Sequence, residues 1–172
     1  IPVVYNCGGY EKPEVIRLLD GYVDIYLPDL KYFDPELSAR YSGARDYFAQ
    51  ASQAVSAMIS QTGSPVFDED GIMQKGVIIR HMVLPGSRKD SISILHWIRE
   101  HLPEEGFLLS LLSQYTPFYK SYEYPQINRR LTTYEYDKVP EEAISLGLTK
   151  GFMQEKSSAK EEYTPPFDLE GL

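Results

Sequence analysis

Apolar positions recur along the chain with two periods, and the switch between them marks the elements. Val3–Val4–Tyr5 is a β-rich run closed by "NCGGY", which predicts a first strand over Pro2–Asn6. In "KPEVIRLLDGY", Val15, Ile16, Leu18 and Leu19 recur at helical spacing, Pro13 suits a first turn and Gly21 a stop. "YVDIYL" is β-branched and aromatic and reads as a second strand. "DPELSARY" opens with a capping Asp followed by Pro, so a short helix begins there. Phe48, Ala51, Val55, Met58 and Ile59 form one stripe, which predicts a long helix from Asp46 to about Ser60 with Asp46 as its cap. "GSPVFDEDGIM" is turn-rich. "GVIIRHMVL" is a strong strand stopped by "PGS". "KDSISILHWIREHLP" is amphipathic, "FLLSLLSQY" is another strong strand, and a last helix falls within Thr133–Leu146, with Pro140 as a kink or late start.

Strands alternate with helices, which predicts an α/β fold with a parallel sheet. The strands read as continuous apolar runs, as strands buried on both faces do. Beyond Gln154, "EKSSAKEEYTPPFDLEGL" is charged, Pro-rich and unpatterned; residues 155–172 are expected to be an extended or disordered tail.

Composition narrows the function classes. At 172 residues the chain is one domain's worth, able to bury about 68–70% of its extended surface. A charge of −8, from 17 basic and 25 acidic residues, argues against nucleic acid as a partner, since phosphate neutralisation needs surplus Lys and Arg. Cys7 is the one cysteine, so no internal disulfide forms and a cytoplasmic location is expected. No apolar run approaches the length of a membrane span. The chain opens "IPVVYN", with neither an initiator Met nor a signal pattern, and is expected to be part of something longer.

The polar oddities sit at strand carboxyl ends: Asn6, Cys7 and Gly8–Gly9; then Asp29 and Lys31; then Arg80 inside "VIIRHMVL", followed by Pro85–Gly86; then Ser113, Gln114 and Tyr115. Ligands of parallel α/β sheets bind at that end, where the βα loops converge. Asp29 and Lys31 are two apart on a strand-like period and can face the same way. Taken singly, Asp29 caps a turn as readily as it binds a ligand, and Lys31 can be a solvated loop residue. A guanidinium inside an apolar strand needs an acid, carbonyls or a ligand, so Arg80 pairs either with an internal acid such as Asp29 or with a ligand. Cys7 reads as a small buried apolar-like residue. His81, His96 and His101 are too scattered for a metal set, and Phe67–Asp70 lacks the ligand alternation of a calcium loop, so no metal site is expected. "YTPFYKSYEYPQI" reads as an ordered aromatic rim loop.

Together "PVVYNCGGY", "DIYLPDLKYF", "GVIIRHMVLPGS", "SLLSQYTPFY", "YPQINRRLT" and "LGLTKGF" resemble the C-terminal half of radical S-adenosylmethionine proteins, in the branch related to pyruvate formate-lyase activating enzyme. The resemblance implies the third to sixth strands, about four βα units, of a partial (βα)6 TIM-like barrel over residues 1–154. It implies an oxidoreductase parent that cleaves S-adenosylmethionine reductively to a 5′-deoxyadenosyl radical. The parent would hold a four-iron four-sulfur (4Fe-4S) cluster in a CxxxCxxC loop that this chain lacks. Carried over residue by residue, Asp29, Lys31 and Arg80 would line the S-adenosylmethionine site. Tyr115 stands where the family has a His near cofactor and substrate. Asn6-Cys7-Gly8-Gly9 stands where the activating enzymes have Asp-Thr-Asn-Gly at a cation site, without its carboxylate. A protein substrate such as a glycyl radical enzyme is the implied partner. The chain alone is expected to be inactive and to self-associate through the edge of its first strand or the inner barrel wall. The residues leave two other functions open: a non-radical TIM-like enzyme using Asp29 and Lys31 for acid–base or Schiff-base chemistry, or a protein-binding module using the Tyr-rich rim.

Overall fold

The computed structural model describes Ile1–Met153; the tail expected over 155–172 lies outside the described residues. The elements are β1 (Val4–Cys7), α1 (Pro13–Leu18), β2 (Ile25–Pro28), α2 (Pro35–Ser42), α3 (Tyr47–Thr62), β3 (Val66–Phe67), β4 (Met73–Met82), α4 (Arg88–His101), β5 (Leu108–Leu112), α5 (Thr133–Ser145) and β6 (Gly151–Met153). Strands β1, β2, β4, β5 and β6 form a parallel sheet in that order, and β3 joins β4 as an antiparallel hairpin arm, giving six strands in all. The fold is α/β with a parallel sheet, as the alternation of periods predicts. Among the described residues no helix is long and apolar enough to cross a membrane.

The register sorts side chains onto two faces. Asn6 pairs with Leu27, Ile25 with Gly76, Ile78 with Leu108 and Arg80 with Ser110, so these residues share one face. Their neighbours Tyr26, Leu30, Val77, Ile79, His81, Val83, Leu109 and Leu111 share the other and are essentially fully buried, with α3 and α4 supplying Ala51, Val55, Met58, Ile94, Leu95 and Ile98 to the same core. Each such apolar side chain contributes about 1.5–3 kcal/mol by leaving water. The first face is less covered: Leu27, Ile78, Arg80, Met82, Leu108, Ser110 and Leu112 are only half-buried. Apolar runs therefore do not mean equal burial on both faces here.

Other expectations change for local reasons. In α1 only Ile16 is buried, whereas Leu18 is 77% exposed and Val15 faces water too. Asp46 precedes α3 but makes no cap bond; its carboxylate accepts the Tyr10 phenol at 2.6 Å. Pro140 lies inside α5, which starts at a Thr132–Glu135 capping box, so it does not delay the helix. Strand β4 starts earlier than expected because Asp68 organises a hairpin turn, accepting from the N–H groups of Asp70 and Ile72 and from Gln74 Nε2. Strands β3 and β6 are too short for a period to reveal. At Gly151 a Cβ would lie 1.9 Å from the Leu109 carbonyl oxygen, so β6 approaches β5 only with glycine there.

Candidate functional site

The polar strand ends meet on the less covered face. Arg80 Nη2 lies 2.6 Å from Asp29 Oδ1 and donates to Asn6 Oδ1 at 2.7 Å, and Lys31 Nζ stands 3.6 Å from Asp29 Oδ2. Two cations thus face one carboxylate. The Arg80 and Asp29 side chains keep about a quarter of their surface exposed (28% and 25%), which leaves the pair reachable by a ligand. Arg80 Nε is buried and has no hydrogen-bond partner among the described residues. A buried guanidinium donor ordinarily finds an acceptor.

Asp29, Lys31 and Arg80 line a cavity of about 210 Å³ with Tyr32, Met82, Leu84, Leu112 and Gln114, while Asn6 stands behind Arg80 outside its wall. Small-molecule pockets commonly run to about 300–1,000 Å³, so this one takes the end of a ligand rather than a whole nucleoside. Its wall is polar at Asp29, Lys31 and Arg80 and apolar at Met82, Leu84 and Leu112. The spacing is regular: residues 29 and 31, 80, 82 and 84, and 112 and 114 are alternate positions on adjacent strands or their extensions.

The loop carrying Asp29 and Lys31 is pinned by side chains from the covered face. The Tyr47 hydroxyl lies 2.8 Å from both the Gly8 and Asp29 carbonyls and accepts the Lys31 N–H at 3.1 Å. His81 is fully buried, with Nδ1 2.7 Å from the Leu30 carbonyl and Nε2 2.8 Å from Ser91 Oγ. A carbonyl only accepts, so Nδ1 carries the hydrogen and Nε2 accepts from Ser91. Burial drives the His81 pKa below its ordinary value, favouring this neutral form. Asp90, on α4, accepts from the N–H groups of Phe33 at 3.0 Å and Asp34 at 2.7 Å. Burial raises its carboxyl pKa, and those two bonds pull it back. At Gly9 the backbone is left-handed (φ +81°) and a Cβ would lie 2.1 Å from the Asp29 carbonyl oxygen, so only glycine lets the β1 end close against the β2 end.

Asn6, Asp29, Lys31 and Arg80 therefore come together. Tyr115 does not join them: its hydroxyl donates to the Ile127 carbonyl at 2.9 Å, and it is absent from the cavity wall. Of the two options for Arg80, the structure forms the internal ion pair and still leaves a donor over. Cys7 is half-buried on the opposite face from Asn6, and burial first, then nearby Glu11, push its thiol up to about 12, so it stays protonated. Met82, Leu84, Leu112 and the buttresses Tyr47, His81 and Asp90 are the residues that strand-end reasoning misses. The first three were accessible by extending the Asp29–Lys31 period across the sheet. The buttresses act through backbone atoms far away in sequence, and no local pattern announces them.

The fold and cavity define an α/β protein with a polar cluster at parallel strand ends. An uncharacterized protein of Methanocaldococcus jannaschii is 36% identical over 149 residues, covering 86% of this chain. The chain spans 39% of that relative's length. No family model matches the chain, and no solved structure matches it.

Proposed function

We propose that this chain is the S-adenosylmethionine-binding part of a radical S-adenosylmethionine enzyme resembling pyruvate formate-lyase activating enzymes. In this reading β1, β2, β4 and β5 are the third to sixth strands of a partial (βα)6 barrel, with β6 additional. The sheet order supports rolling: strands follow one another without the reversal that marks a doubly wound sheet. The observation that carries the functional reading is Arg80, tied to Asp29 and Asn6 while its buried Nε lacks an acceptor among the described residues.

The residues fit one end of S-adenosylmethionine. Arg80 and Lys31 would hold its carboxylate by charge-assisted hydrogen bonds. Asp29 would accept from its amino or ribose groups, and Met82, Leu84 and Leu112 would keep water from the reacting end. Bound there, the cofactor supplies a sulfonium carbon–sulfur bond for one-electron reductive cleavage to a 5′-deoxyadenosyl radical. The residues do not fit an iron–sulfur cluster: the single Cys7 is half-buried and stays protonated, so no step runs through a cluster on this chain. The cluster cysteines would belong to a longer parent enzyme, acting in the cytoplasm on a partner such as a glycyl radical enzyme.

The test is anaerobic reconstitution of both proteins with iron and sulfide, followed by assay of 5′-deoxyadenosine. The parent is expected to form it and this chain alone is not. Formation by the chain alone, or a parent without a three-cysteine loop, contradicts the proposal. The chain is also expected to dimerise through β1, which among the described residues pairs on one side only and leaves Val3 and Val4 half exposed. A dilution-stable monomer in light scattering contradicts that part.

One observation favours a second reading as a protein-binding module. Phe118, Tyr119 and Tyr122 are 61%, 75% and 68% exposed at and within the short 3-10 helix Tyr119–Glu123, and Tyr119 has a left-handed backbone (φ 51°). Partner capture that survives Asp29→Ala and Lys31→Ala together would support it.

A further inference from the structure

Beside the cavity at Arg80, a separate opening of about 480 Å³ is lined by Gly86, Arg88, Lys89, Thr132, Tyr134 and Glu135. It lies where the chain leaving β4 enters α4 and meets the start of α5. The Ser87 N–H donates to the Leu84 carbonyl at 3.1 Å. One turn therefore separates Leu84, in the wall of the first cavity, from Gly86, in the wall of this one. The Glu135 carboxylate fixes the junction. It accepts from Arg129 Nη1 at 2.8 Å and Nη2 at 2.6 Å, from the Gly86 N–H at 2.8 Å, and from the Thr132 N–H at 3.1 Å and hydroxyl at 2.8 Å.

Glu135 therefore brings no spare negative charge to the opening, since its oxygens are occupied and Arg129 cancels its charge. Arg88 and Lys89 are not cancelled. The Arg88 guanidinium lies over the Tyr134 ring, 5.0 Å from its centroid, a contact that orients the cation without neutralising it. Neither Arg88 nor Lys89 pairs with a carboxylate among the described residues. From α5, Lys138 brings a like charge within electrostatic reach of Arg88, and its own partner is Glu141. The two cations also occupy the first two positions of α4, where the helix dipole favours acids and disfavours bases. Asp90, the acid of that turn, has its carboxylate turned to the N–H groups of Phe33 and Asp34. Two adjacent cations thus stand against the dipole, without a counter-charge, in a chain of net charge −8. Local rules broken without an internal compensation mark functional positions.

We propose that Arg88 and Lys89 bind the phosphate group of a small phosphorylated ligand in this opening. The Arg88 fork meets two phosphate oxygens with parallel N–H bonds, and Lys89 adds a point charge. A phosphate monoester carries a charge of about −1.5 to −2 at pH 7, which balances both cations, whereas a carboxylate would leave one unbalanced. The bound anion also offsets the unfavourable placement of the cations on the dipole. Small-molecule pockets commonly run to about 300–1,000 Å³, so an opening of about 480 Å³ admits the phosphate together with a small organic body. The inference goes beyond the S-adenosylmethionine reading and does not depend on it.

The test is an amide NMR titration of the whole chain with inorganic phosphate at pH 7.5, sodium chloride holding the ionic strength constant. The amides of Gly86, Arg88 and Lys89 are expected to shift saturably. Arg88→Gln is expected to weaken phosphate binding about tenfold or more, and Lys89→Gln several-fold. Arg99→Gln removes a cation from the exposed far end of the same helix, and Arg80→Gln removes one from the first cavity; both are expected to leave the affinity unchanged. Shifts that do not saturate, or that chloride alone reproduces, overturn the proposal. So does an affinity that Arg88→Gln leaves intact, that Arg99→Gln lowers equally, or that Arg80→Gln abolishes. Should Arg88→Gln lose the native spectrum, Lys89→Gln at its exposed position decides, and an unchanged affinity there overturns it.

Discussion

The two faces of the sheet carry residues of similar type and use them differently. On the covered face, Val77, Ile79, His81 and Val83 are packed against helices, and even the histidine is fully buried with both ring nitrogens satisfied. On the other, Ile78, Arg80 and Met82 remain half-buried, and the guanidinium keeps a donor without a partner among the described residues. One strand supplies both sets by alternation. The covered face spends its polar groups on backbone atoms of the rim; the other face presents its polar groups to a cavity. Rigidity and reactivity are thus separated by parity rather than by element.

The largest test of that separation is a pair of truncations one residue apart. Ile79→Ala empties a site within the helical core and is expected to lose about 2–5 kcal/mol in urea denaturation. Ile78→Ala, on the less covered face, is expected to lose about 1 kcal/mol. Equal losses would break the comparison. Next comes Tyr47→Phe, which removes the hydroxyl joining Gly8, Asp29 and Lys31. The expected loss is about 1–3 kcal/mol, with faster hydrogen exchange at the Lys31 amide while the amides of β5 stay protected.

A pH effect sharpens the contrast further. The folded His81 pKa lies below its ordinary value, so the unfolded chain binds the proton more tightly. Its stabilising contribution is complete above the unfolded value of about 6.5 and declines as pH falls through it. Asp90 works with opposite sign, since its carboxyl pKa is raised and the folded chain gains as pH falls into the carboxylate range. Urea unfolding between pH 8 and pH 6 should therefore show lower stability at the acid end, and His81→Gln should flatten that slope. The smallest expected effect on stability is at the sheet edge. Val4→Lys should change it by less than about 0.5 kcal/mol, because Val4 is already exposed, yet it should abolish self-association in sedimentation.

Much of this was readable from residue order. The alternation of strand and helix periods predicts the α/β class, and Asp29, Lys31 and Arg80 stand out because charges interrupt apolar strand sequence. Burial on the two faces was not readable, since Ile78 and Ile79 are the same residue type and only their neighbours across the sheet distinguish them. Nor was the fate of Asp46: its cap position is local, but Tyr10, which claims its carboxylate, is 36 residues away. Tyr115 failed to join the cluster for a similar reason, its hydroxyl being taken by the carbonyl of Ile127.

The central claim is that the open-face ends of β2 and β4 bind S-adenosylmethionine. Equilibrium dialysis of the labelled cofactor against this chain tests it directly, with Arg45→Ala as a control for lost positive charge at an exposed ion pair outside the cavity wall. The account predicts saturable binding by the native chain and by Arg45→Ala, and its loss in Arg80→Ala. No saturable binding to the native chain, or binding that Arg80→Ala leaves intact, would contradict it.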